Sequence, residues 1–112
     1  MPRGDFADDN AFRQQVATDL RSLLDQLDEV DADELDPMLT PGTLTIRFES
    51  GATYVLSQQT PTHELWLSAE LQAWHFVHED GAWVERDTGE PMTELLGTLI
   101  SKRLGEPVHL QL

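Results

Sequence analysis

The spacing of apolar residues changes twice along this chain, and those changes restrict its fold more than any other feature. Phe12, Val16, Leu20, Leu23, Leu24, Leu27 and Val30 recur every three or four positions, the period of one helix face. Thr43-Leu44-Thr45-Ile46-Arg47-Phe48-Glu49 then alternates strictly, as in a strand with one buried side. From Met92 the helical period returns through Leu95, Leu96, Leu99 and Ile100, with Arg103 interrupting the stripe. The pattern predicts helix, strands, helix.

The first helix is expected over about residues 9–30, with Asp8, Asp9 or Asn10 accepting from its first free N–H groups. Strands are expected over roughly 43–49, 52–58, 64–68, 74–78 and 83–86. Ser50-Gly51 and Asp80-Gly81 mark turns, and such short connections imply an antiparallel meander. Residues 34–39 suit an added edge strand, the one place where Pro37 is tolerated. Pro91 fits the first turn of the second helix, Lys102 and Arg103 complement its C-terminal dipole, and Gly105 can close it. Val108, Leu110 and Leu112 alternate in a final strand or an extended tail.

These elements give an α+β fold, a two-layer α/β sandwich with two helices on one face of an antiparallel sheet. A length of 112 residues suits one domain, 1–112. The uncovered face should be polar, and Thr43, Thr45, Arg47, Glu64 and Ser68 fit. Trp66 shares the phase of Glu64 and Ser68. On that face it is a candidate binding anchor; if the phase is reversed, it is core.

The formal net charge is −14, and residues 25–36 (DQLDEVDADELD) hold seven acids. Asp25, Asp28 and Glu29 stand at i, i+3 and i+4, on one side of the helix end, where they oppose the dipole and repel one another. The charge argues against nucleic acid and anionic membranes and for cations or a basic protein patch. Carboxylates suit hard cations, but no EF-hand loop is present: counted from Asp31, Asp36 stands where glycine is needed. His63, His75, His78 and His109 are scattered, each expected to be a surface or half-buried residue. Without cysteine there is no disulfide or thiolate site. No nucleophile elbow or phosphate-binding loop is present, so the chain reads as a non-enzyme. Its apolar runs are too short to span a membrane, and its first residues lack signal-peptide character.

Gln59-Thr60-Pro61-Thr62-His63-Glu64-Leu65-Trp66-Leu67-Ser68 resembles the central signature of the frataxin family: Gln-x-Pro, three residues, an aliphatic, then Trp-aliphatic-Ser/Ala. Gly42 to Ile46, Thr53 to Leu56, Trp83, and Thr93 to Leu96 resemble its flanking elements, and the similarity runs over roughly 10–110. Glu64 replaces a more usual Gln, Ser57 a usual Asn, and Leu24 falls where a bacterial relative carries an acid.

The resemblance implies an iron-binding regulator or iron donor in iron–sulfur cluster assembly. It implies weak iron binding (Fe²⁺ or Fe³⁺) on an acidic ridge matched by Asp25, Asp28, Glu29, Asp31, Asp33 and Asp36, with other hard divalent cations accepted. The implied partners are a cysteine desulfurase and the iron–sulfur scaffold protein, met through the ridge and a sheet surface of Trp66, Gln59, Glu64 and Thr45. A cytoplasmic, bacterial protein, monomeric without iron, is expected. Two rival readings stand beside it: a small acidic secretion chaperone, and a metal-independent acidic binding module. A metal response localised to 25–36 separates them from the first.

Overall fold

A computed structural model of the chain describes residues 4–30 and 34–112. Helix α1 (Asp9–Asp28) is followed by six strands: β1 (Leu35–Thr40), β2 (Thr43–Phe48), β3 (Thr53–Gln59), β4 (Glu64–Ala69), β5 (Gln72–Glu79) and β6 (Ala82–Glu85). Helix α2 (Met92–Leu104) closes the order. The strands form one antiparallel sheet in sequence order β1-β2-β3-β4-β5-β6. The expected edge strand is β1, with Pro37 opposite Ile46. Phe12, Val16, Leu20, Leu23 and Leu27 of α1 and Met92, Leu96 and Ile100 of α2 share one buried cluster with Leu44, Ile46, Tyr54, Leu56, Leu65, Leu67 and Phe76. The helices therefore cover one face of the sheet and leave the other open.

The structure narrows three sequence expectations and corrects a fourth, the place of Pro91. Helix α1 ends two residues early, because the amides of Glu29 and Val30 turn back to the Gln26 and Leu27 carbonyls at 3.2 and 3.1 Å. Such i→i−3 bonds tighten a last turn that no glycine or cation terminates. Asp8 is the N-cap, accepting from the Ala11 amide at 2.8 Å. Pro91 is the N-cap of α2 instead of a first-turn residue, and its carbonyl accepts from the Leu95 amide. Residues 106–112 form no strand but an extended tail, with Val108 and Leu110 buried.

That tail ties the helices together. Gln26 exchanges two hydrogen bonds with the backbone of Gln111, at 2.6 and 2.9 Å. The Val108 amide donates to Ser101 Oγ at 2.8 Å. Gly97 of α2 makes room, since a Cβ there would lie 3.1 Å from the Val108 carbonyl oxygen.

The hairpin turns differ in chemistry. Asp80-Gly81, between β5 and β6, has both φ angles positive, as a type I′ turn requires. Between β4 and β5 the same sign falls on Glu70 and Leu71, at 49° and 62°, with no glycine to relieve it. The Glu70 carboxylate is gripped by the Arg103 guanidinium of α2 and by the Tyr54 hydroxyl of β3. Arg103, which breaks the apolar stripe in sequence, thus fastens a strained hairpin to the opposite layer.

Candidate docking face and acidic helix end

Alternation along β4 puts Leu65, Leu67 and Ala69 into the core, and Glu64, Trp66 and Ser68 on the open face. Trp66 is 37% exposed there, as its phase predicts. Its neighbours fix its attitude. The β5 residue opposite it is His75, whose ring lies 4.5 Å away, centroid to centroid, at 44°. Its indole N–H donates to Glu64 Oε1 at 3.0 Å, and the other oxygen of Glu64 accepts from the Arg86 guanidinium at 3.3 Å.

Glu64 lies on the expected face but is only 1% exposed, roofed by Trp66 and Arg86. Burial favours its neutral form, but hydrogen bonds from Trp66 and Thr62 and the charge of Arg86 outweigh this and hold its carboxyl below the usual range. A partner therefore meets Glu64 through the two side chains above it. Gln59, half-buried, stands across from Glu64 on β3 and donates to Ser57 Oγ at 3.3 Å. Thr45 shares the face but lies on β2, separated from β4 by β3. The structure thus brings Gln59, Glu64 and Trp66 together and leaves Thr45 apart. Sequence reasoning missed His75 and Arg86. The strand pairing across the β4–β5 hairpin would have found the first; nothing local signals the second.

At the end of α1, Asp25, Asp28 and Glu29 are exposed. Asp25 pairs with Arg21 at 3.4 Å. Asp31 and Asp33 lie outside the described residues. Asp36 departs from the continuous ridge: it belongs to β1, opposite Arg47, so strand alternation turns it to the open sheet face. Among the described residues, no three His, Asp or Glu side chains converge as a metal site. The acidic end offers dispersed carboxylates, which attract cations without caging one.

Two histidines, expected at the surface or half-buried, are buried. His63, at φ 54°, is 2% exposed, stacks on Phe12, and has Nε2 2.8 Å from Asp9. His78 is 8% exposed and has Nδ1 2.8 Å from Asp5. Phe6 packs against both imidazoles. The segment before α1 folds back over them, which their own neighbourhoods in sequence do not reveal. No described helix is long and apolar enough to cross a membrane.

Comparison with known proteins follows this geometry. Residues 5–106 match the family described as frataxin-like domain. The iron-sulfur cluster assembly protein CyaY of Tolumonas auensis is 30% identical over 102 residues, spanning 91% of this chain and 97% of the relative. The protein of the same name from Aliivibrio salmonicida is 31% identical over 98 residues, 88% of this chain and 93% of its own. Among solved structures, a frataxin from Psychromonas ingrahamii superposes with a TM-score of 0.87 at 23% identity, covering 94% of this chain and 99% of its own.

Proposed function

The chain belongs to the frataxin-like family, and from that premise we propose that it serves iron–sulfur cluster assembly without being a catalyst itself. It binds iron weakly, as cargo or signal, at the acidic end of α1 around Asp25, Asp28 and Glu29, with Asp31, Asp33 and Asp36 extending the negative field. It docks on a cysteine desulfurase and its scaffold protein in the bacterial cytoplasm. The acids meet a basic patch on the desulfurase; the open sheet around Trp66, with Gln59, Glu64 and Thr45, meets the scaffold. Opposite charge steers the encounter, and the indole supplies desolvated contact at short range.

The observation that carries this reading is a large aromatic ring left 37% exposed and internally braced on an uncovered sheet, in a chain whose relatives are named for this assembly. The test combines two measurements. Titration with Fe²⁺ and Fe³⁺, followed residue by residue by NMR, should perturb 25–36 first, with affinity of about micromolar or weaker. Binding to a reconstituted desulfurase–scaffold complex should fall on Trp66→Ala. A silent acidic end together with unchanged binding would reject the proposal and favour a metal-independent module or a chaperone.

A further inference from the structure

We infer that Glu64 is a positioning residue: its buried carboxylate holds the indole of Trp66 in one orientation, so that the ring is presented to a partner as a rigid surface with no free hydrogen-bond donor. Glu64 and Trp66 are two residues apart on one strand and therefore on one face. The indole N–H is spent on Oε1 at 3.0 Å, and Arg86 takes Oε2 at 3.3 Å. His75 packs against the ring from β5. Across from Glu64 stand neutral residues, Gln59 on β3 and Val77 on β5; the charged or titratable groups beside it are Arg86 and His75, with Asp87 paired to Arg86 at 3.9 Å and Glu85 accepting from the His75 amide at 3.0 Å.

A buried carboxylate is an expensive way to hold a fold together, because apolar side chains of similar volume stabilise as well or better. What a carboxylate adds is direction: its two oxygens hold separate donors, here the indole N–H and the Arg86 guanidinium. An anchor already fixed loses less rotamer freedom on binding. With its N–H occupied, Trp66 meets the partner through ring carbons, so the complementary side chain is aliphatic and not a hydrogen-bond acceptor.

The role in affinity rests on the docking function proposed above; the orientation of the ring does not. The test is therefore read first without a partner, from indole N–H resonances, with that of Trp66 assigned by its loss in Trp66→Phe. In the otherwise unaltered protein it should exchange slowly with solvent and shift as Glu64 protonates below the usual carboxylate range. His75→Phe and Asp87→Asn remove the contributions of those two side chains from that record. Glu64→Gln should keep the slow exchange, since an amide oxygen also accepts, but abolish the acid shift. Glu64→Ala should speed exchange about tenfold. An indole that exchanges as fast as free tryptophan, or an acid shift that survives Glu64→Gln, overturns the inference. Should Glu64→Ala not fold, the Glu64→Gln comparison decides alone.

Against the desulfurase–scaffold complex, Glu64→Gln should bind within about twofold of the parent and Glu64→Ala up to about tenfold more weakly. Equal binding by Glu64→Ala would overturn the affinity role. Unchanged binding by Trp66→Ala would instead remove the docking function and leave the indole result to stand by itself.

Discussion

Trp83 of β6 donates its indole N–H to Asp19 of α1 at 2.8 Å, a bond between the two layers made entirely inside the protein. Gln15 completes the carboxylate's partners from one turn earlier on α1, 3.0 Å from each oxygen. Trp83 and Trp66 have the same chemistry and opposite placement, 4% against 37% exposed.

Trp83→Phe should therefore act on stability alone. It keeps most of the ring volume but leaves a buried carboxylate oxygen with one donor fewer, a loss of about 1–3 kcal/mol. Urea unfolding should show a lower midpoint with an unchanged slope. An unaltered midpoint would mean that Asp19 finds water in place of the indole.

Trp66→Ala should show the reverse. Truncating this surface ring leaves no closed cavity and opens the Glu64 carboxylate to water, which replaces the lost donor, so the melting temperature should fall by only a few degrees. Affinity for the assembly complex should fall by about 2 kcal/mol or more if the ring is the centre of the contact. A fold loss of about 3–5 kcal/mol, the cost of truncating a core Trp, would instead place it in the interior.

Alternation made the placement of Trp66 legible, because Glu64, Trp66 and Ser68 share a phase opposite to Leu65 and Leu67. The burial of Glu64 was not legible, since it depends on Arg86 arriving from beyond β6. His63 and His78 are hidden for a similar reason, covered by a segment more than fifty residues away in sequence. Asp36 is a different case. Its place between Leu35 and Pro37 already put it on the opposite side of an edge strand, but the run of acids read as one ridge obscured that. The frataxin signature carried the fold because its residues are mostly those the sheet needs: a turn before β4, then two core aliphatics flanking one exposed aromatic.

Titration should report two networks. Burial, aided by the neighbouring Glu70 carboxylate, raises the Tyr54 hydroxyl to about 12 from 10.0. A folded value above the unfolded one means stability fully present below pH 10 and lost as pH rises through about 12. Tyr54 is the only tyrosine, so tyrosinate absorbance follows it directly. At the acid end, Arg103 and Tyr54 lower Glu70, while Glu64 is lowered despite its burial. Their contribution is present above the ordinary value of 4.5 and disappears as pH falls through the lower folded values. Glu70→Gln should reduce both limbs without abolishing either, since burial still raises Tyr54 and Glu64 keeps its share of the acid limb; an alkaline limb unmoved by it would detach Tyr54 from the network.

The β4–β5 turn makes its own prediction. Leu71 is fully exposed at φ 62°, a conformation that costs an L-residue with a Cβ roughly 1–2 kcal/mol. Leu71→Gly should raise stability by about 0.5–1 kcal/mol, the glycine's extra unfolded-state entropy offsetting part of the relief. Thermal unfolding checks this; a lower melting temperature would show that Leu71 makes a contact that outweighs the strain.

The acidic end of α1 should act at long range, before contact. Asp25, Asp28 and Glu29 are exposed, Asp25 has one solvent-accessible partner in Arg21, and all three sit where the helix dipole is negative. Neutralising them as Asp25→Asn, Asp28→Asn and Glu29→Gln relieves repulsion of a few tenths of a kcal/mol per pair, so the fold should be unchanged or slightly more stable. Association with a basic desulfurase should slow by about tenfold or more at low salt and lose most of its salt dependence, because steering is a rate effect screened beyond about 10 Å at 0.1 M salt. Dissociation should change little, since exposed pairs at an interface rim contribute little once docked. Stopped-flow association across a salt series separates the two rates. A triple variant that associates as fast as its parent at low salt, yet dissociates much faster, would show that these carboxylates form short-range contacts, and the division of labour between helix end and Trp66 would have to be reversed.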